Sequence, residues 1–86
     1  MQEFMRQFTH LNGLCGKVLL EHCLFDKQAF YCDALQTIED DEKIGLVLKG
    51  NDIFVYKSQL KLAKSYDNLC ILSDGRLTIT VIVNKL

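Results

Sequence analysis

The stretch from Ile44 to Leu62 reads Ile-Gly-Leu-Val-Leu-Lys-Gly-Asn-Asp-Ile-Phe-Val-Tyr-Lys-Ser-Gln-Leu-Lys-Leu. It contains two β-type runs joined at Gly50-Asn51-Asp52, residue types that favour turns. The second run alternates apolar side chains with polar ones, which is the period of a half-buried strand. This hairpin predicts a small, strongly bent β-fold.

Further strands are predicted before the hairpin. The first runs from Lys17 to Phe25 and ends at a polar turn, Asp26-Lys27-Gln28. The second runs from Ala29 to Ile38 by its aromatic and branched content, although Asp33 to Gln36 also suits a helix. Four successive carboxylates, Glu39 to Glu42, would repel one another inside a packed element, so they predict a solvated turn before a third strand from Lys43 to Lys49.

The segments after the hairpin predict a bend and a second hairpin. A ribbon of about ten residues at ~3.3 Å each exceeds the width of so small a domain, so we expect it either to coil into a partly closed barrel or to bend near Ala63-Lys64-Ser65. Asp74-Gly75 lies between two apolar runs, which predicts a type I′ turn. Leu77 and the alternate residues after it share one face, whereas Ile82 lies on the other face with Thr78 and Thr80. An exposed Ile82 on a terminal strand is a candidate contact with another subunit.

The first twelve residues predict an amphipathic helix. Apolar side chains recur at helical spacing, at Met1, Phe4, Met5, Phe8 and Leu11, and Asn12-Gly13 ends the pattern. So short a helix is marginal alone, so the β-core or a neighbouring chain must cover its apolar stripe. Phe4 and Phe8 are therefore candidate residues of an oligomer interface.

Length and composition predict one domain over residues 1–86, with a helix at 1–12 and a β-barrel at 16–86. The chain has 86 residues, 49% of them hydrophobic, and a formal net charge of −1. A balanced charge gives no global attraction to nucleic acid or anionic lipid. No segment approaches the ~20 apolar residues of a membrane span, and the first residues lack the pattern of a signal peptide. We expect a cytoplasmic protein without a membrane partner.

The candidate chemical groups are few. Cys15, Cys23, Cys32 and Cys70 are interpreted as reduced, mostly core residues, because three of them lie within apolar runs. The cysteines and the two histidines lack the spacing of a zinc site. Adjacent residues of a strand point to opposite faces, which argues against a catalytic pair of His22 and Cys23. The sequence therefore predicts a protein that is not an enzyme and has no metal or cofactor.

The central hairpin resembles the Sm-like (LSm and Hfq) family. Val47-Leu48-Lys49 followed by Val55-Tyr56-Lys57 is similar to the Hfq pattern of two apolar residues and Lys, a turn, then Val-Tyr-Lys-His. The resemblance implies an all-β fold, an SH3-like small barrel of five to six antiparallel strands with an N-terminal α-helix. It also implies a ring of identical subunits that binds single-stranded RNA near its pore.

The resemblance also implies which residues contact RNA. Tyr56 and Lys57 match the family's Tyr-Lys pair, and Ser58 stands where Hfq has His. Further phosphate contacts would come from Lys49, Lys61 and Lys64, provided that they converge with Lys57 on one surface.

Two classes of function follow from the sequence. The first is an Sm-like oligomer that binds single-stranded RNA through Tyr56 and Lys57. The second is a protein-interaction or scaffold module that assembles through the helix stripe and the strand edges around Ile82, without nucleic acid. The hairpin favours the first class, and the acidic charge balance and the lack of an aromatic residue in the region of the family's base-stacking pocket favour the second.

Overall fold

The structure is a computed structural model that describes residues 2–84 and consists mainly of antiparallel strands. Helix α1 comes first, and eight strands follow it within these residues. The helix spans Gln2–Thr9, and the strands are β1 Gly16–His22, β2 Phe25–Cys32, β3 Thr37–Glu39, β4 Lys43–Leu48, β5 Asn51–Tyr56, β6 Leu62–Tyr66, β7 Leu69–Ser73 and β8 Leu77–Val83. A 3-10 helix, Lys57–Gln59, separates β5 from β6.

The strands form two sheets. Five strands lie in the order β2-β1-β8-β7-β6, and three lie in the order β3-β4-β5. Every neighbouring pair is antiparallel. The all-β class with a short N-terminal helix is confirmed. The prediction of a small barrel of five to six strands is not matched, because the eight described strands form two separate sheets that do not close into a barrel.

The additional strands arise where two predicted strands are broken. The predicted strand Ala29 to Ile38 is interrupted between Cys32 and Thr37, and its two parts join different sheets. The ribbon after Asp52 is interrupted by the 3-10 helix, so the bend predicted at residues 63–65 lies earlier. Lys57 N–H still donates to the carbonyl oxygen of Glu42, in the turn between β3 and β4, at 2.8 Å, whereas Lys61 N–H donates to the carbonyl oxygen of Ser73 in the large sheet at 2.8 Å. The chain changes sheets between these two bonds.

The central hairpin is confirmed, with its turn one residue earlier than predicted. Leu48 pairs with Asn51, so Lys49 and Gly50 form the turn. Their φ angles are 51° and 82°. Two positive φ values are the signature of a type I′ turn, whose twist matches that of the flanking strands.

Gly45 lets β4 and β5 approach closely. A Cβ atom at this position would lie 2.0 Å from the carbonyl oxygen of Ile53 and 2.5 Å from Cα of Phe54. These are backbone atoms of the paired strand, which cannot move aside as a flexible side chain can. Glycine is therefore required here to keep the register of the hairpin.

The predicted helix is present but ends at Thr9, and Met1 lies outside the described residues. The exposed face carries an ion pair between Glu3 and Arg6. The helix ends three residues before the predicted stop at Asn12-Gly13, and turn residues 10–13 follow it. Gly13 has φ of 87° and donates its N–H to the carbonyl of Leu35 at 2.7 Å.

One hydrophobic core joins the helix to both sheets. Ile44, Leu46 and Leu48 of β4 project into it, and Leu72, Ile79 and Val81 meet them from the large sheet. The predicted inward face of the last strand is confirmed, since Ile79, Val81 and Val83 are all buried. The core thus lies between the two sheets.

The turn before β8 differs from the predicted type I′ geometry. Asp74 N–H donates to Leu77 at 3.2 Å across it, and Gly75 has φ of 92°. Arg76 has no positive φ, and a type I′ turn requires positive φ at both central residues. The Asp74 carboxylate accepts hydrogen bonds from the N–H groups of Arg76 and Leu77, each at 2.8 Å, and so closes the turn.

Replacing Gly45 by alanine should destabilise the fold by about 3 kcal/mol, because the added methyl group overlaps the backbone of β5. The matched control is Gly50→Ala, where nothing lies within 4 Å and only the left-handed backbone costs about 1–2 kcal/mol. Urea denaturation measures the loss of unfolding free energy in both variants. A smaller loss for Gly45→Ala than for Gly50→Ala would contradict this account of the hairpin.

Candidate interaction surface

The predicted Tyr56 and Lys57 pair lies at the end of β5. Tyr56 is 46% exposed. The ammonium group of Lys57 forms an ion pair with the carboxylate of Glu39 on β3, and both side chains are largely covered. The charge that the resemblance assigns to RNA contact is therefore neutralised within the chain.

The acidic turn lies beside this pair. Asp40, Asp41 and Glu42 line an open groove of about 390 Å³ together with Lys43 and Tyr56. The Asp40 carboxylate accepts hydrogen bonds from the N–H groups of Glu42 at 2.8 Å and Lys43 at 2.9 Å. These hydrogen bonds lower the pKa of the Asp40 carboxyl below its usual 3.8, and the bond from Glu42 has the largest effect. The turn is therefore anionic at neutral pH and repels phosphate.

Two aromatic rings in the same region contact each other, and one of them also contacts a lysine. Phe54 and Tyr56 contact edge to face with ring centroids 5.3 Å apart. The ammonium of Lys43 lies 4.8 Å from the centroid of Phe54. These contacts order the end of the hairpin.

The other predicted RNA-binding lysines lie on separate elements. Lys49 is in the β4–β5 turn, at the opposite end of the hairpin from Lys57, which at ~3.3 Å per residue puts it about 20 Å away along the strand. Lys61 lies beside Gly75 in the turn before β8. Lys64 is exposed on β6. No two of these four lysines belong to the same helix, strand or turn.

The predicted oligomer residues also lie in different environments. Phe4 and Phe8 are 6% and 0% exposed, because the chain's own core covers them. Their apolar surface is already occupied within the chain, which argues against the expected role in an oligomer interface. Ile82 lies on the outer face of the large sheet as expected, but it is half-buried and not exposed.

The outer face of the large sheet carries apolar and aromatic side chains. The register aligns one row across all five strands, namely Tyr31, Lys17, Ile82, Leu69 and Tyr66. Directly paired residues share a face, so the two tyrosines lie at opposite ends of this row. Tyr31 is 80% exposed and Tyr66 57%. The ammonium of Lys17 lies 5.2 Å from the Tyr31 centroid.

Strand β2 is the most exposed long strand of the chain. Residues 25–29 and Tyr31 are exposed, and only Phe30 and Cys32 are half-buried. Leu24, in the turn before β2, is 71% exposed, and Phe25, the first residue of β2, is 69% exposed. β2 is a sheet edge that pairs with β1 alone among the described strands, so one side of its backbone is open to another strand.

The remaining sheet edges are shorter. β3 has three residues, β6 has five with Lys64 at its centre, and β5 has six. Short length and a central lysine are devices that keep edges from pairing with other chains. Within the described residues, β2 therefore offers the longest edge with exposed aromatic side chains.

The sequence pattern does not reveal β2 as an exposed edge. Asp26-Lys27-Gln28 was predicted as a turn, but these residues lie within β2, and the turn is at Cys23-Leu24. A register irregularity occurs between Leu20 and His22 of β1, opposite Asp26 and Lys27. A charged pair inside an aromatic run, as at Asp26-Lys27, is the sequence signal of such an irregular edge.

The cysteines are less buried than predicted. Cys70 is buried and Cys32 half-buried, but Cys15 and Cys23 are exposed, so they are not core residues. Cys23 Sγ lies 3.9 Å from Nδ1 of His22, which corrects the expectation that the two side chains diverge. They adjoin because Cys23 belongs to the turn, where strand alternation does not apply. Nδ1 already accepts the N–H of Leu24 at 3.1 Å.

A second groove lies away from the acidic turn. This groove has a volume of about 670 Å³, lies between α1 and the β6–β7 turn and is lined by His10, Leu14 and Tyr66 among others.

Within residues 2–84 no three His, Cys, Asp or Glu side chains are grouped so that they could hold a metal ion. No helix in this part of the chain is both long enough and apolar enough to cross a membrane.

Comparison with known proteins gives no relative. No protein-family model, no curated protein and no solved structure matches the chain.

Asp40→Asn should lower stability at neutral pH, because the amide oxygen replaces a carboxylate in two hydrogen bonds and charge-assisted bonds are stronger. The lowered pKa of Asp40 means that its contribution is present above pH 3.8 and is lost as the pH falls through its folded value. Chemical denaturation from pH 7 down to about 2 measures the gap in unfolding free energy between wild type and variant. This gap should close below pH 3.8. A gap that stays constant over this range would contradict the assignment.

Proposed function

We propose that the protein is a non-enzymatic protein-interaction module that acts through the exposed edge of β2. The observation that carries this proposal is the exposure of Leu24, Phe25 and Tyr31, at 71%, 69% and 80%, on one edge strand and its adjoining turn. Large apolar side chains concentrated at an open sheet edge are typical of binding surfaces.

The mode of binding follows from the backbone of β2. An extended segment of a protein partner would lie beside β2 and continue the five-stranded sheet, with affinity from main-chain hydrogen bonds and specificity from side chains. Tyr31 and Phe25 would supply the aromatic contacts that dominate many protein interfaces. No catalytic side chain is needed for this activity.

Charge supports the protein partner over nucleic acid as the first choice. The formal net charge is −1. Lys57 is paired with Glu39, and three carboxylates lie beside Tyr56. The potential around the predicted RNA contact is thus negative, which opposes a polyanion.

The double variant Phe25→Lys with Tyr31→Lys should abolish association through β2, because two charges replace the apolar contacts without entering the core. The experiment coexpresses a tagged chain with an untagged copy and crosslinks them in cells. The wild-type tagged chain should capture the untagged copy or another protein, and the double variant should capture neither. The matched control is Leu14→Lys, a 45% exposed leucine outside β2, which should retain it. Equal capture by wild type and double variant would refute the proposal.

A second candidate function is single-stranded RNA binding, as the Sm-like resemblance implies. The observation that favours it is the pair Lys64 and Tyr66, both exposed on the outer face of β6. An aromatic ring beside a cation suits a stacked base with its phosphate, and stacking contributes about 1–3 kcal/mol per base. The helix, the antiparallel strands and the hairpin with Tyr56 and Lys57 also support an Sm-like origin for this activity.

Titration of a labelled uridine-rich RNA at several salt concentrations tests this second candidate. If the outer face binds RNA, Lys64→Ala should reduce the salt slope by about 1 and weaken binding, whereas Lys57→Ala should not, because Lys57 is already ion-paired. If the Sm-like pair binds RNA, Lys57→Ala should weaken it instead. Absence of binding at micromolar protein concentration would remove RNA binding altogether.

A further inference from the structure

We infer that the partner of the β2 edge is a second copy of this chain, paired antiparallel about a two-fold axis at Phe30. This inference rests on the proposed function of the same edge and names its occupant. Isologous pairing of one surface with itself is the commonest form of protein assembly. A chain of 86 residues has a small core, which association would stabilise further.

The irregularity in β2 limits the possible registers. Asp26 and Lys27 lie where the pairing with β1 is irregular, so a neighbouring strand can pair regularly only from Gln28 onward. The regular part of β2, Gln28 to Cys32, has Phe30 at its centre. A two-fold axis at Phe30 therefore uses all of the regular edge and does not extend pairing across the irregular part.

This register matches side chains of complementary size. Pairing about Phe30 places Gln28 opposite Cys32 and Ala29 opposite Tyr31 of the second copy. The exposed Tyr31 ring would lie over the small Ala29 side chain, and this contact occurs twice in the dimer. The two Phe30 rings meet at the axis, where cross-strand aromatic pairs are favourable.

The same register also matches charges. Just beyond the last paired residues, this register brings Lys27 near Asp33 of the second copy, and the symmetry repeats this pair at the other end. Asp33 is exposed, and the Lys27 side chain is 59% exposed, so both are available. Lys27 lies 3.8 Å from Glu21 within its own chain, a surface pair that contributes little. Opposite charges therefore meet at both ends of the strand pair.

Sedimentation equilibrium with native mass spectrometry over a dilution series tests the inference. The wild type should form a dimer. Lys27→Asp and Asp33→Lys should each weaken dimerisation at least about tenfold, because each places two like-charge pairs across the interface. An equimolar mixture of the two variants should form a heterodimer of about wild-type affinity, because opposite charges meet again at both ends.

The control and the contradicting results are distinct. Asp52→Lys makes the matched charge change on an exposed position of β5 and should leave the dimer unchanged. A wild type that stays monomeric up to about 1 mM, single variants that dimerise as the wild type does, or a mixture without recovery would each overturn the second copy as occupant. Capture of another protein that still depends on Phe25 and Tyr31 would then leave the proposed function standing.

Discussion

The left-handed turn at Lys49 and Gly50 is the constraint on which the rest of the structure depends. Its two positive φ angles set the pairing of β4 with β5, and Gly45 allows the strands to come close enough to keep it. In this register Ile44 and Leu46 face the core. A shift by one residue would turn these side chains to the other face, because side chains alternate along a strand. The same turn places the Lys49 ammonium 5.5 Å from the ring centroid of Phe30 on β2, so it also joins the two sheets.

The position of the small sheet decides which surfaces remain for binding. It covers the inner face of the large sheet together with the helix, whose Phe4 and Phe8 are buried. The outer face and the β2 edge stay open. Since Lys57 is neutralised by Glu39 beside an acidic turn, the open surfaces carry more apolar and aromatic area than positive potential. This balance is the reason why we propose a protein strand rather than a nucleic acid as the partner.

Local signals in the sequence predicted the elements well and the pairing of distant elements less well. The helix, the hairpin at Gly50 and the inward residues of β8 follow from periodicity and turn chemistry within a few residues. The breaks at residues 33–36 and 57–59 carry no Gly or Pro, so nothing local distinguished them from continuous strand. Whether β2 is central or an edge depends on where β8 inserts, and the Lys57–Glu39 pair joins residues 18 apart in the chain. Such long-range contacts override local preference.

The central claim is that one side of β2 is open in the single chain and becomes paired on association. Hydrogen exchange of the β2 backbone amides, measured at low and high protein concentration, tests it most directly. We predict that alternate amides between Gln28 and Cys32, those directed away from β1, exchange fast at low concentration and slowly at high concentration, while the others stay slow at both. Protection of all these amides that does not change with concentration would contradict the claim.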